Sequence, residues 1–251
     1  MEIIRLIFAP IWKIWFFIVF TTFFLILYPF FWYTITYQKL DMAYKLKRIW
    51  CYFIAYGSGV FPNIMYKSDS KKMPEPCVFV ANHTSYLDIV LSPFYIDHLA
   101  LYLGKAELLK TPLFNIFFKQ MDIPVNRSSR VDAVKSLRKM HEEVAKGRSM
   151  VVFPEGTIPT DTTKTLPFKN GAFKLAIDNQ VPIVPVVYLN NWKLMQNGGF
   201  FKSNGRPGIP DVIVFEPIET KGMTEANIEE LKARVHKLTN DTLNDYYGSK
   251  N

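Results

Sequence analysis

Cys77-Val78-Phe79-Val80-Ala81-Asn82-His83-Thr84-Ser85-Tyr86-Leu87-Asp88 is the stretch that decides the fold. Its first five residues are a β-rich apolar run that stops abruptly at two polar side chains. A helical pattern follows over residues 86–95. A second run of the same kind, Met150-Val151-Val152-Phe153, ends in Pro154-Glu155-Gly156-Thr157. Working outward, further strands are expected at residues 99–103, 123–125, 183–188 and 212–215. Helices are expected near 112–119, 130–146, 171–178 and 225–247. In the second of these, Ala133, Val134, Leu137, Met140, His141 and Val144 form a stripe at helical spacing, and Gly147 is a stop signal. Strands alternating with helices predict an α/β domain with a mixed, largely parallel sheet flanked by helices. No internal repeat is present, and residues 67–76 read as an exposed loop.

In such domains, sites gather beyond the carboxyl ends of strands. Both polar strand ends carry groups able to move protons. Histidine is the side chain whose unperturbed pKa lies near neutrality, so a residue such as His83 can take a proton from an alcohol and return it to a leaving group. Asp88, five residues on, can orient it if the turn folds back. Taken alone, a His near an Asp is more often structural. A metal site built from His83, Asp88 and Glu155 matches no common zinc spacing, so no metal is expected. Ser85 lacks the Gly-x-Ser-x-Gly elbow of a serine hydrolase. His98, His141 and His236 have no motif around them and read as structural or surface residues.

The stretch Asn82-His83-Thr84-Ser85-Tyr86-Leu87-Asp88 resembles the signature of the glycerolipid acyltransferase superfamily, and its 1-acyl-sn-glycerol-3-phosphate acyltransferase branch fits best. Three more blocks resemble that family in order. They are Gly104-Lys105-Ala106-Glu107-Leu108 continuing to Ile123-Pro124-Val125-Asn126-Arg127, then Phe153-Pro154-Glu155-Gly156-Thr157 with Phe168-Lys169-Asn170-Gly171, then Val181-Pro182-Ile183-Val184-Pro185-Val186. The resemblance covers roughly residues 75–190, and four ordered blocks are far more specific than one. It implies His83 as general base, Asp88 as its orienting carboxylate, and Lys105 and Arg127 as phosphate ligands. Arg suits that task because its guanidinium grips phosphate oxygens in a fork. It also implies that Glu155 and Gly156 shape the acceptor site, with Thr157 capping or bonding nearby. The implied reaction moves a fatty acyl group from acyl-CoA or acyl-carrier protein to the free hydroxyl of 1-acylglycerol 3-phosphate, giving phosphatidate, and needs no cofactor. One departure stands out: the family's basic residue after Glu-Gly-Thr is replaced here by Ile158, followed by Pro159. Lys164 and Lys169 are the nearby cations that could substitute, or the acceptor head group differs. Another acyl acceptor, thioester hydrolysis and a non-catalytic lipid-binding role stay open as rival readings.

The N-terminal quarter has a different texture. Residues 14–37 carry no charge over 24 positions, and half of residues 12–37 are aromatic. A bilayer core needs roughly 20 apolar helical residues, so the run is long enough to span. Trp12, Trp15, Tyr28, Trp32, Tyr33 and Tyr37 cluster toward its ends as interfacial aromatics do. Pro29 makes a kinked helix, or a helix pair dipping into one leaflet, an equal fit. Residues 39–56 mix Lys45, Lys47 and Arg48 with apolar side chains and read as an interfacial helix. The expected organisation is a membrane-anchoring helical segment, 1–58, before an α/β domain, 59–251.

The formal net charge is +8, concentrated in residues 1–50 (net +4) and 101–150 (net +5). A basic surface beside an apolar anchor suits anionic lipid head groups or phosphorylated substrates. Nucleic acid is not expected as a partner, because no nucleic-acid module is recognisable. Basic residues are denser after the apolar run than before it, so if the run spans, the positive-inside tendency puts the catalytic domain on the cytoplasmic side of the cell membrane. Cys51 and Cys77 form no Cys-x-x-Cys pair and read as reduced core residues.

Overall fold

The computed structural model describes residues 2–126 and 129–248. Two helices, α1 (Glu2–Thr36) and α2 (Leu40–Gly57), precede a seven-stranded sheet. The strands are β1 (Asn63–Tyr66), β2 (Val78–Ala81), β3 (Ala100–Lys105), β4 (Ile123–Val125), β5 (Ser149–Val152), β6 (Ile183–Tyr188) and β7 (Asp211–Val214), in spatial order β1-β7-β6-β2-β5-β3-β4. Every pairing is parallel except β6 with β7. The mixed, largely parallel sheet is the expected one. Its central strands β2, β5 and β6 are buried at every position, as strands covered on both faces must be.

The remaining helices are α3 (Leu87–Leu91), α4 (Asn115–Gln120), α5 (Arg130–Ala145), α6 (Gly171–Asp178), α7 (Asn191–Leu194) and α8 (Ile228–Gly248). Right-handed crossovers fix their sides. Chain moving from β2 to β3 to β4 puts α3 and α4 on one face, and chain returning from β4 through β5 to β6 puts α5 and α6 on the other. Helix α6 packs on both α5 and α8, while α1 packs against α4 and α2 against α3. Gly147 ends the α5 region in a left-handed turn (φ 83°). The helix expected over 86–95 is shorter, with a 3-10 turn Ser92–Phe94 taking over where Pro93 enters. Sequence reading missed β1, an edge strand whose sequence Asn-Ile-Met-Tyr is mostly half-buried and shows no alternation.

Helix α1 runs unbroken through Pro10 and Pro29 and is long and apolar enough to cross a membrane. One side of it is committed to the protein. Phe23 stacks on Phe53 of α2 at 4.2 Å, Phe20 meets Trp50 at 4.6 Å, and the Trp50 indole donates to the Phe20 carbonyl at 3.0 Å. Phe24 and Phe31 continue this cluster to Phe117 of α4. The other side leaves Ile14, Phe17, Ile18, Leu25, Ile26, Phe30 and Trp32 exposed. The core itself is continuous from α1 through the sheet to α8.

Helix α2 corrects one expectation. Lys47 does not face an interface: it is buried, with its ammonium 3.0 Å from Asp122 and 3.8 Å from the centre of the Tyr102 ring. Asp122 also accepts the Tyr102 backbone N–H at 2.9 Å. Arg48 is likewise turned toward the domain, donating to the Pro93 and Asp97 carbonyls. Of the three cations, Lys45 alone is exposed. Cys51 and Cys77 are free and buried, as expected.

Candidate active site

The strands β6, β2, β5, β3 and β4 run the same way, so their carboxyl ends line one edge of the sheet. The chain leaves β2 toward the α3 face and leaves neighbouring β5 toward the α6 face. A crevice opens between two such strands, and His83 and Glu155 sit at it.

The turn after β2 is held at both ends. The Asn82 amide bonds the Tyr188 backbone twice, accepting its N–H at 2.8 Å and donating to its carbonyl at 3.0 Å. Asp88, fully buried in the first turn of α3, gathers the rest. One carboxylate oxygen lies 2.9 Å from His83 Nδ1 and accepts the backbone N–H groups of Thr84 (2.6 Å) and Ser85 (2.9 Å). The other accepts the Thr84 hydroxyl (3.2 Å) and the Asn191 side-chain amide (2.7 Å). Donors surround this carboxylate, so His83 Nδ1 serves as one more, and the Nε2 lone pair is left for chemistry. Phe153, from the end of β5, stacks on the imidazole with ring centres 4.1 Å apart.

Glu155 turns inward. Its two oxygens accept the backbone N–H groups of His83 and Leu166, each at 2.8 Å. Burial pushes its carboxyl up to about 7; the two N–H groups pull the other way, and nearby Asp88 adds to the rise. The folded chain therefore keeps a proton that the unfolded chain releases above its ordinary 4.5. The stability this gives is complete below pH 4.5 and is lost as pH rises through 7, by about 3 kcal/mol. Glu155→Gln should flatten the fall in melting temperature between pH 5 and 8. Equal slopes for both proteins would sink this assignment.

Gly156 follows in the left-handed region (φ 75°), and an added Cβ would lie 2.7 Å from Lys169 Nζ. Lys169 is thus a cation placed over the Glu155-Gly156 turn, and its backbone N–H bonds the Pro154 carbonyl at 3.0 Å. Thr157 is exposed. Lys105 is exposed at the end of β3, 3.3 Å from Glu107, and its ladder partner is Val125. Arg127 lies outside the described residues. Val181-Pro182-Ile183-Val184-Pro185-Val186 leads into and forms most of β6, supporting β2 rather than reaching the crevice.

An apolar cavity of about 300 Å³ opens beside this turn. Leu103, Val125, Leu137, Met140 and Val152 line it together with Gly156, Lys169 and Phe153, the ring that stacks on His83. Among the described residues no cluster suited to a metal ion is present. A Ser-His-Asp arrangement also exists elsewhere: His98 lies 2.7 Å from the Ser149 hydroxyl and 3.2 Å from Asp97. Ser149 is fully buried and its oxygen already accepts the Cys77 N–H, so this is a clasp at the strand starts and not a nucleophile.

A family model described as acyltransferase matches residues 64–189, half of the chain. The chain belongs to the acyltransferase family. Among curated members, 1-acyl-sn-glycerol-3-phosphate acyltransferase of Saccharomyces cerevisiae is 34% identical over 175 residues, 68% of this chain and 56% of that one. The human 1-acyl-sn-glycerol-3-phosphate acyltransferase beta is 34% identical over 180 residues, 69% of this chain and 63% of that one. The chain thus spans less than two thirds of these acyltransferases. The crystal structure of the 1-acyl-sn-glycerophosphate (LPA) acyltransferase PlsC from Thermotoga maritima shares the fold, with a TM-score of 0.77 over 96% of this chain and 97% of that one, at 22% identity. Within this acyltransferase fold, sequence reading gave Asn191 no role. It reaches Asp88 from 103 residues away, and no local pattern announces it.

Proposed function

We propose that this chain transfers a fatty acyl group from an acyl thioester, acyl-CoA or acyl-carrier protein, to the free hydroxyl of 1-acylglycerol 3-phosphate, giving phosphatidate. The observation that carries the reading is His83 tied through Nδ1 to a buried, donor-wrapped Asp88. His83 Nε2 takes the proton of the acceptor hydroxyl as its oxygen attacks the thioester carbonyl. The C–S bond of the resulting tetrahedral intermediate then breaks, and the imidazolium returns the proton to the leaving thiolate. Asp88 keeps the tautomer and stabilises the imidazolium between these steps.

The acceptor phosphate is met by Lys105 at the end of β3 and by Arg127, the family-motif cation, with Lys169 over the Glu155-Gly156 turn in place of the family's usual basic residue. Glu155 acts by fixing the His83 backbone, because both its oxygens are already bonded to N–H groups. The apolar cavity receives an acyl chain. The exposed apolar side of α1 lies in the bilayer, which presents an amphiphilic acceptor to the crevice; the catalytic domain faces the cytoplasm.

Ile158 favours one alternative, an acceptor with a different head group. A panel of lysophosphatidate, glycerol 3-phosphate, lysophosphatidylcholine and a sugar-based lysolipid, each offered with one labelled acyl donor, separates the two. Lysophosphatidate should give the highest kcat/KM. Preference for any other member overturns the acceptor assignment.

A further inference from the structure

From α7 onward the chain runs from the His-Asp turn to the apolar side of α1. Asn191 opens α7 on Asp88, and the Met195 carbonyl after it accepts the Ser85 hydroxyl at 2.6 Å. Met195 bridges Gly205, and Gln196 bonds Asn204 through backbone and side chain, closing a neck. The loop between is fixed from inside by Lys13 of α1. That ammonium is buried and donates to the carbonyls of Ser203 (2.6 Å) and Phe200 (2.9 Å) and to the Ser203 hydroxyl (2.8 Å). No carboxylate among the described residues pairs with it; a buried ammonium so placed is costly, and its compensation here is the shape of this loop.

What the loop displays is a pair of rings. Phe200 stacks on Phe17 of α1 with centres 6.2 Å apart, and Phe201 is 72% exposed. Phe17 belongs to the exposed apolar side of α1, so the loop tip continues that surface. Residues 190–210 contain Lys193, Lys202 and Arg206 and no acid. A single exposed Phe is ordinary. Two adjacent rings on a closed, anchored loop, continuous with an apolar helix and flanked by cations alone, are not. We propose that Phe200-Phe201-Lys202 is a lipid-contacting element that inserts beside α1 into the surface of an anionic bilayer. The rings reach the boundary of head groups and acyl chains, while Lys202 and Arg206 meet anionic head groups. Because the same loop clasps Ser85, its insertion sets the height of the His83–Asp88 turn above the lipid.

The test reads lipid contact without any substrate, so its outcome is independent of the proposed reaction. Cys51 and Cys77 are buried, with thiols pushed up to about 12, so a thiol-reactive fluorophore labels an introduced cysteine. Full-length Phe201→Cys, Lys202→Cys (which keeps both rings) and Glu230→Cys on α8, across the sheet, are labelled and reconstituted. The vesicles contain phosphatidylglycerol, phosphatidylcholine and a lipid with a nitroxide near the top of its acyl chain. The labels at 201 and 202 should lose about half their emission, as expected for insertion to that depth, and the label at 230 little. Quenching at 201 and 202 no greater than at 230 overturns the proposal.

Discussion

His83→Ala should lower the turnover of purified protein by about three to four orders of magnitude, at the upper end of what loss of a general base removes. In energy this is about 4–5 kcal/mol of transition-state stabilisation. The fold should survive. Among the described residues the imidazole's hydrogen bond is to Asp88 alone, and four other donors remain on that carboxylate. Losing the stack on Phe153 removes one ring contact at the edge of the crevice. Acyl transfer is followed with a labelled thioester and fold by thermal unfolding. The expected pattern is near-complete loss of rate with a small change in melting temperature. Full acyl transfer by His83→Ala would refute the mechanism.

Asp88→Asn should be nearly as damaging to rate and more damaging to the fold. An amide NH₂ replaces one oxygen in a site whose neighbours Thr84 N, Ser85 N and the Asn191 amide are all donors. If the remaining carbonyl keeps the two backbone N–H groups, the NH₂ opposes the Asn191 amide. If it turns the other way, His83 is driven to the wrong tautomer. A comparable substitution in a Ser-His-Asp triad costs about 10⁴ in kcat, and similar loss is expected here. The unmet buried donors add a stability cost of about 2–3 kcal/mol. The combination separates the two residues: His83→Ala loses rate alone, while Asp88→Asn loses rate and melting temperature together. An Asp88→Asn protein of unchanged stability would mean that the donor shell does not bind the carboxylate as described.

The sheet was legible because its central strands are continuous apolar runs with polar stops. Those stops are the ends of β2 and β5, where His83 and Glu155 stand side by side. The edge strand β1 was not legible, because a half-buried edge needs neither alternation nor a full apolar run. Lys47 was misread as interfacial by its charge. Its place told otherwise, on the stripe of Leu40, Ala43, Tyr44, Trp50, Cys51 and Ile54 that α2 buries. The inward turn of Glu155 follows from backbone donors at His83 and Leu166, which no side-chain pattern encodes. Asn191 and the Lys13 cage join residues 103 or more positions apart, and only the folded sheet brings them together.

The central claim is that the acceptor's own hydroxyl, activated by His83, is the nucleophile. It is tested most directly by measuring thiol release and labelled lipid together, with purified protein and one acyl thioester. The acceptor is lysophosphatidate, its 2-deoxy analogue, or absent. Phosphatidate and free thiol are expected in equal amounts with lysophosphatidate, and almost no thiol release with the analogue or without acceptor. Thiol release at an undiminished rate without the hydroxyl would contradict it, because water would then be the nucleophile.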